Sequence, residues 1–190
     1  MFEQLMSIIR QAGQQQVVNN TAIPNEYNDQ VMNEAGSSIV GGLQQALSGG
    51  GLAQVMKLFG QGGSEQGISS LLSNPLVQNI ISQFTGKLSG QFKLDQAQAS
   101  QVSSNLIPQV LQNFAGKVTD PNDNSVDING VMQSLTGGQS SEIDFTGLLQ
   151  KFSGGGDIDG DGDVDLQDIM AKLSGGSSGG VMDMVKGLFK

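Results

Sequence analysis

Apolar residues recur at helical spacing from the start of the chain. A first one-sided stripe, which predicts an amphipathic helix, consists of Phe2, Leu5, Met6, Ile9 and Ala12. A second stripe predicts a longer helix that begins near Pro24, because proline suits the first turn of a helix, and runs to Leu47. We expect Gly41 and Gly42 to weaken the end of this helix. A shorter helix is predicted for the segment LAQVMKLF, between two Gly-rich turns.

Two helix start signals follow. Asn74 can cap a helix in which Pro75 is the first residue. Asp95, followed by Gln98 three residues later, resembles a capping box and predicts a helix that continues to residue 118. Pro108 lies inside that last segment, so we expect the helix to be kinked or split there.

The two halves of this region share their apolar pattern when one is shifted by 71 residues. The shift pairs Leu5 with Leu76, Ile9 with Ile80, Val17 with Leu88, Ile23 with Leu94, Val31 with Val102, Ile39 with Val110, Val40 with Leu111 and Leu43 with Phe114. Both an internal duplication and a chance match of two amphipathic patterns remain open. The short helices, Gly-rich turns and proline in the last helix resemble the YidB-like bacterial helical proteins. That family has no established function, and the resemblance, over residues 1–118, transfers no site residue.

The region after residue 118 carries a shorter and clearer repeat. Its three copies are VDINGVMQSL (126–135), IDFTGLLQKF (143–152) and VDLQDIMAKL (164–173). The pattern predicts three short helices capped by Asp127, Asp144 and Asp165, and ended by a left-handed glycine. Helices of about eight to ten residues are not stable alone. They must therefore pack together or be ordered by a ligand.

The third copy overlaps an acidic loop, DIDGDGDVDLQD, at residues 157–168. Aspartate occupies loop positions 1, 3, 5, 7, 9 and 12, which are the ligand positions of an EF-hand calcium loop, and Gly162 stands at position 6, where the turn requires glycine. The predicted calcium ligands are Asp157, Asp159, Asp161, Asp163, Asp165 and Asp168. Asp163 would bind through its backbone carbonyl, Asp165 through a water molecule while it caps the helix, and Asp168 would close the shell.

The last ligand distinguishes this loop from a standard EF-hand, which ends in glutamate. Asp168, followed directly by the helix IMAKL, resembles the loop–helix unit of dockerin domains, and the resemblance covers residues 120–173. It implies a calcium-dependent protein-binding module with two loops. The first loop would begin at Asp120, with Asn122 and Asn124 as further ligands, but it lacks the central glycine and the closing acid. We interpret it as a polar turn followed by a capping aspartate, with a second, weak calcium site as the less favoured alternative.

Composition narrows the chemistry. The 190-residue chain has no cysteine and no histidine, which excludes disulfides, thiolate or imidazole metal sites and the nucleophiles and bases that depend on them. We therefore expect no enzymatic activity, and a carboxylate-based hydrolase is the less favoured alternative. The net charge is −9, and twelve acidic against four basic residues follow residue 118. This excess of negative charge disfavours nucleic acid as a partner.

Together these patterns predict an all-α protein of short amphipathic helices joined by Gly-rich turns. Residues 1–118 would form a helical domain, residues 119–175 an acidic calcium-binding module, and residues 176–190 a linker with a C-terminal amphipathic helix. We expect that helix to dock on the core or on another copy, and docking on a partner or membrane surface is the less favoured alternative. With no apolar stretch long enough to span a bilayer and no secretory leader, a cytoplasmic location is the default, while export by a route without cleavage stays open.

The expected function is calcium-dependent protein interaction or assembly. A purely structural subunit rigidified by calcium is the alternative.

Overall fold

The computed structural model describes residues 2–62, 67–120, 123, 125–138 and 145–147. Among these residues 83% are helical and none lies in a β-strand, which confirms the all-α fold. The α-helices are α1 (Phe2–Gly13), α2 (Asn28–Ser48), α3 (Leu52–Gly62), α4 (Gly67–Ser73), α5 (Pro75–Gln91), α6 (Gln96–Thr119) and α7 (Ile128–Leu135). A π-helical turn (Gln14–Val18) extends α1, and a 3-10 turn (Asn25–Tyr27) precedes α2.

Both predicted start signals cap helices. The side chain of Asn74 accepts a hydrogen bond from the N–H of Leu76 at 2.9 Å, and Pro75 is the first residue of α5. The carboxylate of Asp95 accepts from the N–H of Gln98 at 2.8 Å at the start of α6. These side chains pair N–H groups that the first turn of a helix leaves without a partner.

The predicted effect of Pro108 is partly wrong, because α6 is not split and runs as one helix from Gln96 to Thr119. A proline inside a helix costs about 3 kcal/mol. Burial of one large apolar side chain contributes roughly 1.5–3 kcal/mol. The turns on either side of Pro108 bury Leu106, Ile107, Val110 and Leu111, each with no exposed surface. Their combined burial outweighs the cost of the proline and holds α6 together.

The glycine pair in α2 also has a different role from the expected one. The helix continues beyond Gly41 and Gly42 to Ser48. Gly42 is buried against α5, where an added Cβ would lie only 2.3 Å from Cγ1 of Ile80, whereas Gly41 is exposed and has no atom within 4 Å of such a Cβ. Gly42 therefore permits a close approach of two helices, and the packing between them holds the end of α2.

The helices pack as two pairs, α1 with α2 and α5 with α6. The pairs meet through α1 on α6 and α2 on α5, while α3 and α4 pack on α6. A shift of 71 residues carries α1 onto α5 and α2 onto α6. The contact of α1 with α2 then corresponds to that of α5 with α6, and the contact of α1 with α6 corresponds to that of α2 with α5. The duplication stays a prediction. The segments that the shift matches do form corresponding helices.

One cluster of buried side chains joins all these elements. Its aromatic part includes Phe59 and Phe114, whose ring centroids lie 5.8 Å apart. The same cluster continues past residue 118 into the first acidic repeat and beyond it, through Val126, Ile128, Val131, Met132, Leu135 and Phe145. Helix α7 packs on α2. The start of the acidic region is therefore built onto the core of the helical region.

Candidate calcium-binding region

The predicted calcium loop, residues 157–168 with its six aspartates, lies outside the described residues. So do Asn122 and Asn124 of the first loop, Asp144 of the second repeat and the C-terminal segment 176–190. Within the ranges that the structure does describe, no group of three or more acidic side chains is placed to hold a metal ion. The described residues nevertheless show how the first loop and the first repeat are built.

The first loop is organised by Asp123, which is not one of the ligands predicted for that loop. Its carboxylate accepts a hydrogen bond from Nζ of Lys117 at 2.8 Å and another from the N–H of Ser125 at 2.9 Å. The N–H of Asp123 donates to the carbonyl of Asp120 at 3.1 Å, and the N–H of Asp120 donates to the carbonyl of Gly116 at the end of α6. The chain is thereby folded into a turn directly after α6.

The electrostatics of Asp123 follow from these contacts. Hydrogen bonds from Lys117, and then from Ser125, hold the pKa of the Asp123 carboxyl well below its ordinary value of 3.8. Lys117 lies in the last turn of α6, where a cation is also favoured by the helix dipole. In the sequence, this ion pair is indicated only by a lysine and an aspartate on the two sides of a predicted helix end. Such a spacing is common and does not by itself predict an ion pair.

Asp127 caps α7 as the repeat pattern predicts. Its two carboxylate oxygens accept from the N–H groups of Asn129 at 3.3 Å and Gly130 at 2.9 Å. The helix ends at Leu135, and Gly137 after it has the predicted left-handed conformation, with a φ of +64°. The N–H of Gly138 donates to the carbonyl of Gln133 at 2.8 Å. The prediction for the first repeat is therefore confirmed at both ends of its helix.

The first and second repeats are joined by Asn129. Its side-chain oxygen accepts from the N–H of Phe145 at 2.8 Å, and its side-chain nitrogen donates to the hydroxyl of Thr146 at 2.8 Å. Asn129 and Thr146 occupy the same position in their repeats, the second residue after the capping aspartate. Phe145, which is only 1% exposed, joins the core. The repeats are thus linked by polar contacts at equivalent positions as well as by apolar burial.

Of the helices in the described ranges, none has the length and apolar character needed to cross a membrane. Comparison with known proteins gives no match: no family model, no curated protein and no solved structure matches the chain.

Proposed function

We propose that this protein binds calcium through residues 157–168 and works, without enzymatic activity, in protein interaction or assembly. The observation that carries the proposal is the loop spacing itself. Aspartate stands at each of the six ligand positions of an EF-hand-type loop, and Gly162 stands at the position that requires glycine. In this proposal calcium orders the acidic region and so stabilises a surface for a protein partner or a second copy.

The first repeat supports this proposal by analogy within the chain. In VDINGVMQSL, Asp127 caps a helix whose apolar side chains are buried in the core. The third repeat, VDLQDIMAKL, has the same pattern, with Asp165 at the capping position. Asp165 is also position 9 of the acidic loop, where a ligand acts through water. One residue would therefore join the calcium shell to the start of the helix that the ion orders.

Charge repulsion gives the reason for a cation. Six carboxylates fall within twelve residues that contain no lysine or arginine. Two like charges about 5 Å apart in water repel by roughly 0.8 kcal/mol, and such a loop has many such pairs. A divalent cation that prefers oxygen ligands reverses this repulsion, and calcium accepts the seven-oxygen shell that magnesium disfavours.

A rigid structural subunit is the second candidate function. It is favoured because α7 and Phe145 are buried in the same core as the helical region. The start of the acidic region is therefore packed firmly against that region. Size-exclusion chromatography with light scattering separates the two. The leading proposal expects a change in oligomeric state, or capture of a partner, when calcium is added. The structural alternative expects tight binding of calcium without a change in oligomeric state and without capture of a partner.

Calorimetric titration of calcium into EDTA-stripped protein tests the site. We expect about one bound ion, since one loop carries all six ligand aspartates. The variant Asp157→Ala/Asp161→Ala should lose the binding heat. A control with an equal change in charge, Glu3→Ala/Glu26→Ala, alters two exposed acids in the helical region and should retain it. Two bound ions would assign a second site to the 120–130 loop. The absence of binding heat and of any change in helicity would refute the calcium proposal.

A further inference from the structure

The first loop, from Asp120, and the predicted calcium loop, from Asp157, differ in the charged residues at two equivalent positions. Aligned at their first residues, position 4 is Asp123 in the first loop and Gly160 in the calcium loop. Three residues before the loop stands Lys117 in the first case and Gly154 in the second. The first loop thus has an acid and a lysine that its counterpart lacks.

In the first loop this acid and this lysine meet. Nζ of Lys117 lies 2.8 Å from Oδ2 of Asp123, and the other oxygen of the same carboxylate accepts from the N–H of Ser125. The carboxylate thereby bridges the last turn of α6 and the residues that lead to α7. The backbone of Lys117 is part of the last turn of α6, and its partly exposed side chain reaches from there to the turn.

We infer that the ammonium group of Lys117 is the resident cation of the first turn, which is held closed without a metal ion. Calcium then acts only on residues 157–168, so this inference rests on the proposed function for the position of the calcium site. The seating of α7 on α2 is independent of calcium, because the turn that precedes α7 carries its own positive charge. The chain combines a permanently folded first repeat with a third repeat that responds to calcium.

The test uses amide NMR spectra of the full-length protein, recorded with EDTA and then with calcium chloride. We expect calcium to shift signals within residues 157–173 and to leave those between Lys117 and Gly130 unchanged. In Lys117→Gln, exchange of the Ser125 amide hydrogen should rise about two- to five-fold, the range expected for loss of a partly exposed ion pair. Lys117→Arg should keep the wild-type exchange rate at Ser125, because it keeps a positive charge near the turn.

Lys87→Gln is the matched control, since it removes a lysine from an ion pair with Glu34 between α2 and α5. It should leave exchange at Ser125 unchanged. Saturable calcium shifts between residues 120 and 130 of the wild-type protein would overturn the inference, and so would unchanged Ser125 exchange in Lys117→Gln. A protein that shows no calcium shifts anywhere, but keeps the effect of Lys117→Gln, would instead refute the proposed calcium site and retain the lysine-closed turn.

Discussion

Adjacent glycines in α2 should respond to alanine with opposite signs. Gly41 is exposed, and a Cβ added there would meet no atom within 4 Å. Gly42 is buried, and a Cβ added there would lie 2.3 Å from Cγ1 and 3.0 Å from Cδ1 of Ile80. The two positions share one helix and one residue type, so their comparison isolates the packing of α2 on α5.

The magnitudes follow from two competing effects. Alanine is favoured over glycine inside a helix by about 1 kcal/mol, and this gain applies at both positions. Overpacking a filled core costs roughly 1–3 kcal/mol. The upper part of that range applies to Gly42, because the obstructing Cγ1 of Ile80 is near the backbone of α5 and cannot move aside as the end of a long side chain can. We expect Gly41→Ala to stabilise the protein by about 0.5–1 kcal/mol and Gly42→Ala to destabilise it by about 1–2 kcal/mol.

Urea unfolding followed by circular dichroism measures both changes. A second pair of variants, Ile80→Ala with and without Gly42→Ala, sharpens the assay. In the Ile80→Ala background the obstructing atom is gone, so Gly42→Ala should become stabilising. Ile80→Ala alone should cost about 2–5 kcal/mol, because Ile80 has no exposed surface. The reasoning is refuted if Gly42→Ala stabilises the wild-type protein as much as Gly41→Ala does, or if its effect is the same with and without the Ile80 side chain.

Two further predictions concern the start of the acidic region. Asn129→Ala removes the hydrogen bonds to Phe145 and Thr146 and should lower the free energy of unfolding by about 1–3 kcal/mol. Thr146→Val removes only the bond to Thr146 and should cost about half as much. Equal urea midpoints for Asn129→Ala and wild type would contradict this prediction. The lowered pKa of Asp123 means that its ion pair with Lys117 stabilises the folded protein fully above pH 3.8, the ordinary pKa, and that this stability is lost as the pH falls toward the lowered pKa. The difference in thermal midpoint between wild type and Asp123→Asn should therefore shrink on acidification, and a difference that grows would contradict the sign.

The local rules of helix formation were readable in the sequence. The apolar patterns predicted every α-helix of the described residues except α4, although α2 begins at Asn28 and not near Pro24. The caps Asn74, Asp95 and Asp127 all accept the backbone hydrogen bonds expected of them. These predictions succeed because a cap and its N–H partner lie within three residues of each other, so that no long-range contact is needed. The left-handed Gly137 is predictable for the same reason.

The candidate site was predictable only in part. The spacing of aspartates in residues 157–168 is visible in the sequence, and its interpretation as a calcium loop stays a prediction. For the first loop the sequence favoured a polar turn over a weak metal site. The ion pair of Lys117 with Asp123 organises that turn, and its existence depends on the direction in which α6 ends.

What the sequence by itself determined is six of the seven α-helices of the described residues, the caps Asn74, Asp95 and Asp127, and the repeated pattern of the acidic region. Tertiary structure alone decided that α6 passes through Pro108 unbroken, that Gly42 serves a close contact with Ile80, and that Asn129 links two repeats. The physical reason is that each of these outcomes depends on partners distant in the chain. Burial against them outweighs the local preference of a proline or a glycine, and no local pattern specifies which surfaces will meet.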